Sequence, residues 1–139
     1  MKTSARNHFS GEVTAVKSGA VNDEITLSVD GTTFVAVVTQ ESTKSLGLAV
    51  GAKASALIKA SSVIVMVDCD PSKISTRNVL TGTVANVKPG AVNTEVTISA
   101  GGLQIAAIIT NDSATRLGLA AGTPASAVFK ASSVIIAVE

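Results

Sequence analysis

Residues 24–30 alternate strictly, with Ile25, Leu27 and Val29 on one face and Thr26 and Ser28 on the other. That pattern predicts a half-buried β-strand, and four more strands are predicted around it. Residues 8–17 read as a strand in which Val13 and Val16 sit among small polar residues, and Gly11 marks a bulge or sharp bend. Gly19-Ala20-Val21-Asn22 is a turn. Asp30-Gly31 is a hairpin turn leading into a Val-rich third strand at 33–39. Residues 42–48 carry a short helical signal, with Ser42 as N-cap and Gly47 as the stop. The fourth and fifth strands fit 52–58 and 62–67. The run Val63-Ile64-Val65-Met66-Val67 does not alternate, which predicts burial on both faces, within the unit or in a subunit contact.

The pattern then begins again. Lys59-Ala60-Ser61-Ser62-Val63-Ile64 returns unchanged as Lys130-Ala131-Ser132-Ser133-Val134-Ile135, an offset of 71 residues. The same offset carries Ser4-x-Arg6-Asn7 onto Ser75-x-Arg77-Asn78 and Gly19-Ala20-Val21-Asn22-x-Glu24 onto Gly90-Ala91-Val92-Asn93-x-Glu95. It also carries Thr39-x-x-Ser42 onto Thr110-x-x-Ser113, and Leu46-Gly47-Leu48 onto Leu117-Gly118-Leu119. No gap is needed, so one domain is written twice. The expected domains are 3–68 and 74–139, with a linker at 69–73 where Pro71 stops the strand. Five short strands with a helix between the third and fourth, repeated, predict an all-β fold of two tandem OB-type five-stranded β-barrels.

Composition narrows the function. Units of about 65 residues bury only about 60% of their chain surface and are marginal alone. With 46% hydrophobic and 15% charged residues, an oligomer with large buried interfaces is expected. A net charge of +1 gives no field for nucleic acid or an anionic membrane, and three Phe with no Trp or Tyr give few rings for stacking on bases. Cys69 is the only cysteine, so no intramolecular disulfide forms, which suits a reducing cytosol. The first residues lack the apolar stretch of a secretory signal, and the longest apolar runs have strand length. A cytoplasmic protein is expected.

Catalysis finds little support. His8 is the only histidine and its counterpart is Val79, Cys69 has no counterpart, and Glu24 and Glu95 are the only carboxylates repeated as the same residue. No cluster of metal-ligating residues is evident, so neither an enzyme nor a cation site is expected. What recurs is a set of hydrogen-bond donors. Arg6, Lys59, Ser4, Thr39, Ser42 and Ser61 return as Arg77, Lys130, Ser75, Thr110, Ser113 and Ser132. Guanidinium, ammonium, hydroxyl and backbone N–H groups together suit a small oxyanion. The other reading makes the hydroxyls helix caps and edge residues and the cations solvated. The Gly-Ala-Val-Asn turns have the same two readings, as tight turns or as a second anion site.

Taken together, Ser-Ala-Arg-Asn, Gly-Ala-Val-Asn-x-Glu, Thr-x-x-Ser before Leu-Gly-Leu, and Lys-Ala-Ser-Ser-Val resemble the molbindin (Mop) domain family. The resemblance covers almost the whole chain, twice. It implies OB-type barrels that bind molybdate or tungstate for storage and homeostasis without catalysing a reaction, with no further cofactor. It also implies six Mop domains around a threefold axis, hence a homotrimer of this tandem chain, with oxyanion sites at domain interfaces. Within Ser4-Ala5-Arg6-Asn7 and Lys59-Ala60-Ser61, the resemblance has one partner supply Ser4, Arg6, Lys59, Ser61 and the backbone N–H of Ala60. Thr39 and Ser42 reach in from a neighbour. The second copy offers Ser75, Thr76, Arg77, Asn78, Thr110, Ser113, Lys130, Ala131 and Ser132. A second class of site is implied at the turns Gly19, Ala20, Val21, Asn22 and Gly90, Ala91, Val92, Asn93, nearest the threefold axis. Thr76, which stands where the first copy has Ala5, spares the site if it offers only backbone and alters it if its hydroxyl intrudes.

A site built from donors alone favours molybdate, which accepts hydrogen bonds only, over hydrogen phosphate. The phosphate O–H would be left unpaired at a cost of about 1–3 kcal/mol. The alternative function is a molybdate-sensing regulatory module that acts through a partner protein. An OB-fold nucleic-acid binder is disfavoured by the charge and the missing rings.

Overall fold

The computed structural model describes all residues 1–139. In chain order the strands of the first repeat are β1 (Asn7–Ser18), β2 (Asn22–Val29), β3 (Thr32–Thr39), β4 (Lys53–Ile58) and β5 (Ile64–Met66). Helix α1 (Gln40–Ser45) lies between β3 and β4, and a 3-10 turn at Ala60–Ser62 precedes β5. A further 3-10 turn, Pro71–Lys73, leads to the second repeat, made of β6 (Asn78–Pro89), β7 (Asn93–Ala100), β8 (Leu103–Thr110), α2 (Asn111–Arg116), β9 (Pro124–Phe129), a 3-10 turn at Ala131–Ser133 and β10 (Ile135–Ala137).

The strands form two five-stranded antiparallel sheets, in the orders β10-β4-β1-β2-β3 and β5-β9-β6-β7-β8. The fold is all-β, with the short helix between third and fourth strands as the OB pattern requires. The short edge strand of each sheet also lies against the third strand of its repeat pattern, β10 against β3 and β5 against β8, so each sheet curls toward a barrel. The units of sequence and the units of packing differ. One unit is Met1–Ile58 with Lys130–Glu139, and the other is Lys59–Phe129. The fifth strand of each barrel therefore comes from the other repeat.

In the first unit the β2 alternation holds as expected. Ile25, Leu27 and Val29 are buried with Val13, Phe34 and Ile58, and Ile136 joins them from β10. In the second unit Val96 and Ile98 take the same positions beside Val84, Ile105 and Phe129, with Val65 joining from β5. Burying each such side chain contributes about 1.5–3 kcal/mol.

Four local expectations change. The β1 bulge falls between Val13 and Ala15, not at Gly11. Gly11 serves close approach instead, since a Cβ there would run into the Ser28 carbonyl oxygen, as one at Gly82 would into that of Ser99. The N-cap of α1 is Thr39 rather than Ser42, because the Thr39 side chain accepts the Ser42 N–H three residues on. Gly47 does stop the helix, with φ +65. Residues 63–65 alternate after all: Val63 and Val65 are buried, whereas Ile64 is 55% exposed, and Met66 and Val67 are half-buried. Both-face burial thus does not hold within the chain. The segment around Pro71 is ordered as a turn capped by Asp70. No helix is long and apolar enough to cross a membrane.

Candidate functional site

The first group of expected site residues sits at one end of the β1–β4 ladder. Asn7 pairs with Ile58, so Arg6 precedes and Lys59 follows the same rung. In the second repeat Asn78 pairs with Phe129, and Arg77 and Lys130 flank that rung. Each of these cations thus stands one residue along the chain from the last paired rung. Ser4, Arg6, Lys59 and Ser61 are exposed, as are Ser75, Arg77, Lys130 and Ser132. Lys59 and Lys130 each stand at the N-cap of a 3-10 turn without a side-chain cap. Ala60 in the first of these turns is buried and Ala131 in the other half-buried, which leaves Ala60 only its backbone to offer.

Asn7 and Asn78 are 1% exposed and hold the fold. The Asn7 amide donates to the Ile58 carbonyl at 3.2 Å, locking the last rung. Thr76 is also spoken for. Its hydroxyl donates to the Phe129 carbonyl at 2.8 Å and accepts the Asn78 N–H at 3.2 Å. The hydroxyl thus braces the strand end. Ala5, its counterpart, donates its N–H to the Thr3 hydroxyl at 3.1 Å.

Thr39 and Ser42 lie elsewhere in the first unit. Thr39 pairs with Asn22, and Gln40 N–H donates to the Val21 carbonyl at 2.9 Å, so the start of α1 sits beside the Gly19–Asn22 hairpin. That hairpin closes β1 at Ser18, whereas Arg6 precedes β1 at Asn7. A strand of this length runs on the order of 35–40 Å along its path. The first unit does not bring Arg6 to Thr39 and Ser42 along the sheet. The 3-10 turn holding Lys130, Ala131 and Ser132 does pack on β3, which ends at Thr39. In the second unit the turn holding Lys59, Ala60 and Ser61 packs likewise on β8, which ends at Thr110.

At the hairpins, Gly19 is required because a Cβ would meet the Asn22 carbonyl oxygen, and Gly90 meets Asn93 in the same way. Shallow pockets open beside both, about 260 Å³ lined by Lys17, Gly19, Asn22, Asp23 and Glu24 among others, and about 350 Å³ lined by Lys88, Gly90, Asn93, Thr94 and Glu95. Ala20, Val21, Ala91 and Val92 are exposed turn residues beside them. Reasoning from the sequence missed the buried polar residues here, Asp23 and Thr94. The signal was present, since Asp23 has the same parity as Ile25, Leu27 and Val29 and so faces inward. No group of three or more His, Cys, Asp or Glu residues could hold a metal ion.

Comparison with known proteins decides the family. The TOBE domain model matches twice, over residues 3–65 and 74–136. The chain belongs to the TOBE domain family. The molybdenum-pterin-binding protein MopA of Rhodobacter capsulatus is 49% identical over 139 residues, covering 99% of this chain and 52% of MopA. The molybdenum transport protein ModE of Azotobacter vinelandii is 45% identical over 141 residues, covering 99% of this chain and 52% of ModE. This tandem TOBE chain spans about half the length of these relatives. A solved structure of the cytoplasmic molybdate-binding protein ModG, with molybdate bound, superposes with a TM-score of 0.93 at 48% identity and covers all of both chains. The tandem OB-type architecture is therefore shared with ModG over its full length.

Proposed function

We propose that this chain binds molybdate or tungstate in the cytoplasm as a non-catalytic store that buffers intracellular molybdenum. One observation carries the reading: the fold matches, over its whole length, a protein solved with molybdate bound. The donor chemistry supports it. Arg6 with Lys59, and Arg77 with Lys130, flank equivalent rungs, while Ser4, Ser61, Ser75 and Ser132 are exposed nearby in sequence. Charge-assisted donors of this kind suit a tetrahedral dianion.

Arg6 and the Thr39–Ser42 pair lie at opposite ends of β1, which supports a site shared between subunits. Exposed Ile64 and Ile135 on the edge strands offer apolar surface for such contacts. We therefore assign a homotrimer, with the oxyanion held by Ser4, Arg6, Lys59, Ala60, Ser61 and their repeat counterparts, and Thr39, Ser42, Thr110 and Ser113 donated across subunits. A second reading follows from the similarity to ModE: the chain senses molybdate and passes that state to a partner protein.

Native mass spectrometry during titration with molybdate and then sulfate tests the proposal. A species of three 13.9 kDa chains that gains several molybdates and ignores sulfate is the expected result. A monomer that takes up no oxyanion defeats it. Pull-down of a partner only in the presence of molybdate would favour the sensing role.

A further inference from the structure

The two hairpin pockets occupy equivalent places in the repeats, yet their buried polar residues differ in charge. Asp23 and Thr94 occupy the same position at the offset of 71, and each is 2% exposed. In the first unit the Asp23 carboxylate accepts the Gly19 N–H at 3.2 Å. Its pocket is lined by one cation, Lys17, and two carboxylates, Asp23 and Glu24. In the second unit the Thr94 hydroxyl donates to the Asn111 side-chain oxygen at 2.6 Å, and the Asn111 amide donates to the Gly90 carbonyl at 3.1 Å. The Gly90 N–H there goes to the Asn93 backbone carbonyl at 2.8 Å rather than to a carboxylate. Its pocket is lined by Lys88 and a single carboxylate, Glu95.

We infer that Asp23 makes the hairpin pockets unequal, so that the pocket of the second unit takes an oxyanion and that of the first unit rejects it. The inference rests on the molybdate-binding reading and assigns one of its two classes of site to one repeat. A dianion entering the first pocket meets a second, inward-facing carboxylate in a partly desolvated wall, where like charges repel more strongly than in water. A dianion entering the second pocket meets no second carboxylate, since Thr94 is neutral and its hydroxyl proton goes to Asn111. Gly-Ala-Val-Asn and the following Glu are the same residues in both repeats, whereas Ser18 lines the first pocket where Pro89 lines the second, an exchange that carries no charge. Asp23 is thus a specificity-determining residue.

The test counts molybdates bound to the full chain by native mass spectrometry and locates them by anomalous diffraction from molybdenum. Wild type should show density at the Gly90–Asn93 hairpin and none at Gly19–Asn22. Thr94→Asp should lose the anions at its hairpin, and Asp23→Thr, which installs the other repeat's residue, should gain as many. Asp23→Asn, which keeps the shape and removes the charge, should bind at the first pocket at least about tenfold more tightly than wild type. Unchanged counts in all three variants, with wild type otherwise loaded, would overturn the inference and leave molybdate binding standing. A wild-type protein that binds no molybdate anywhere overturns both.

Discussion

The Thr39 hydroxyl accepts the Ser42 N–H at 3.1 Å and donates to the Ser42 hydroxyl at 2.8 Å, and Thr110 and Ser113 repeat both distances. The threonine proton is consumed within the pair, and the serine hydroxyl keeps its own proton to donate. One residue of the motif caps the helix while the other keeps a proton to donate. Thr39→Ala should therefore cost about 1 kcal/mol of stability in urea unfolding. Ser42→Ala should cost well under half of that and weaken molybdate binding instead. Equal stability losses would show that the two hydroxyls do not divide the work.

Arg6 brings charge and a fork of donors, whereas Ser61 brings one neutral hydroxyl. Arg6→Ala is expected to weaken molybdate binding by about tenfold or more, and Ser61→Ala by about threefold to tenfold. Isothermal calorimetry measures both, and a wild-type affinity in Arg6→Ala removes Arg6 from the site.

Gly82 lies where a Cβ would collide with the backbone of Ser99, which cannot move without breaking the β6–β7 ladder. Gly82→Ala should cost about 3 kcal/mol, at the upper end for overpacking. A shift in urea midpoint worth less than 1 kcal/mol would mean that the strands part without cost there.

Ser72 donates its backbone N–H at 3.0 Å and its hydroxyl at 2.7 Å to Asp70 Oδ1. The hydroxyl first, and the N–H second, hold the Asp70 carboxyl below the ordinary aspartate range. A folded-state pKa below the unfolded one means that this carboxylate adds stability above the unfolded value and loses it as pH falls through the folded one. NMR titration should therefore place its midpoint below that of a free aspartate, and Ser72→Ala should move it upward. A midpoint that Ser72→Ala leaves in place would separate the turn from the carboxylate.

Removing Lys130–Glu139 takes β10 from the unit containing β1–β4 and leaves the second unit all five of its strands. Hydrogen exchange should accelerate far more at Ile25–Val29 than at Val96–Ala100, although the deleted residues belong to the second repeat. The reverse pattern would mean that each repeat closes on its own strand.

Much of this was legible in the sequence because the causes are local. The alternation of Ile25, Leu27 and Val29, the turn at Asp30-Gly31 and the stop at Gly47 each fix backbone within a few residues, and all were recovered. The motif residues could be named, but not their division of labour. Thr39 rather than Ser42 caps the helix because the helix begins one residue after Thr39, and boundaries of short helices depend on which hydroxyl reaches which N–H. The burial of Asn7 and its bond to the Ile58 carbonyl were not legible, because they depend on a residue 51 positions away. The trading of fifth strands was invisible for a plainer reason. The stretches Lys59–Ile64 and Lys130–Ile135 that lead into the two strands are the same, so nothing in them says which sheet each strand joins.

That exchange of strands bears on what duplication accomplishes. Were the repeat encoded singly, each copy would have to borrow its closing strand from another molecule or fold back on its own, and borrowing would weaken on dilution. Joining two copies in one polypeptide makes the loan intramolecular, at an effective concentration set by the short connection around Pro71. Closure of both barrels then persists at any protein level, including the low levels of a cell in which the protein is scarce.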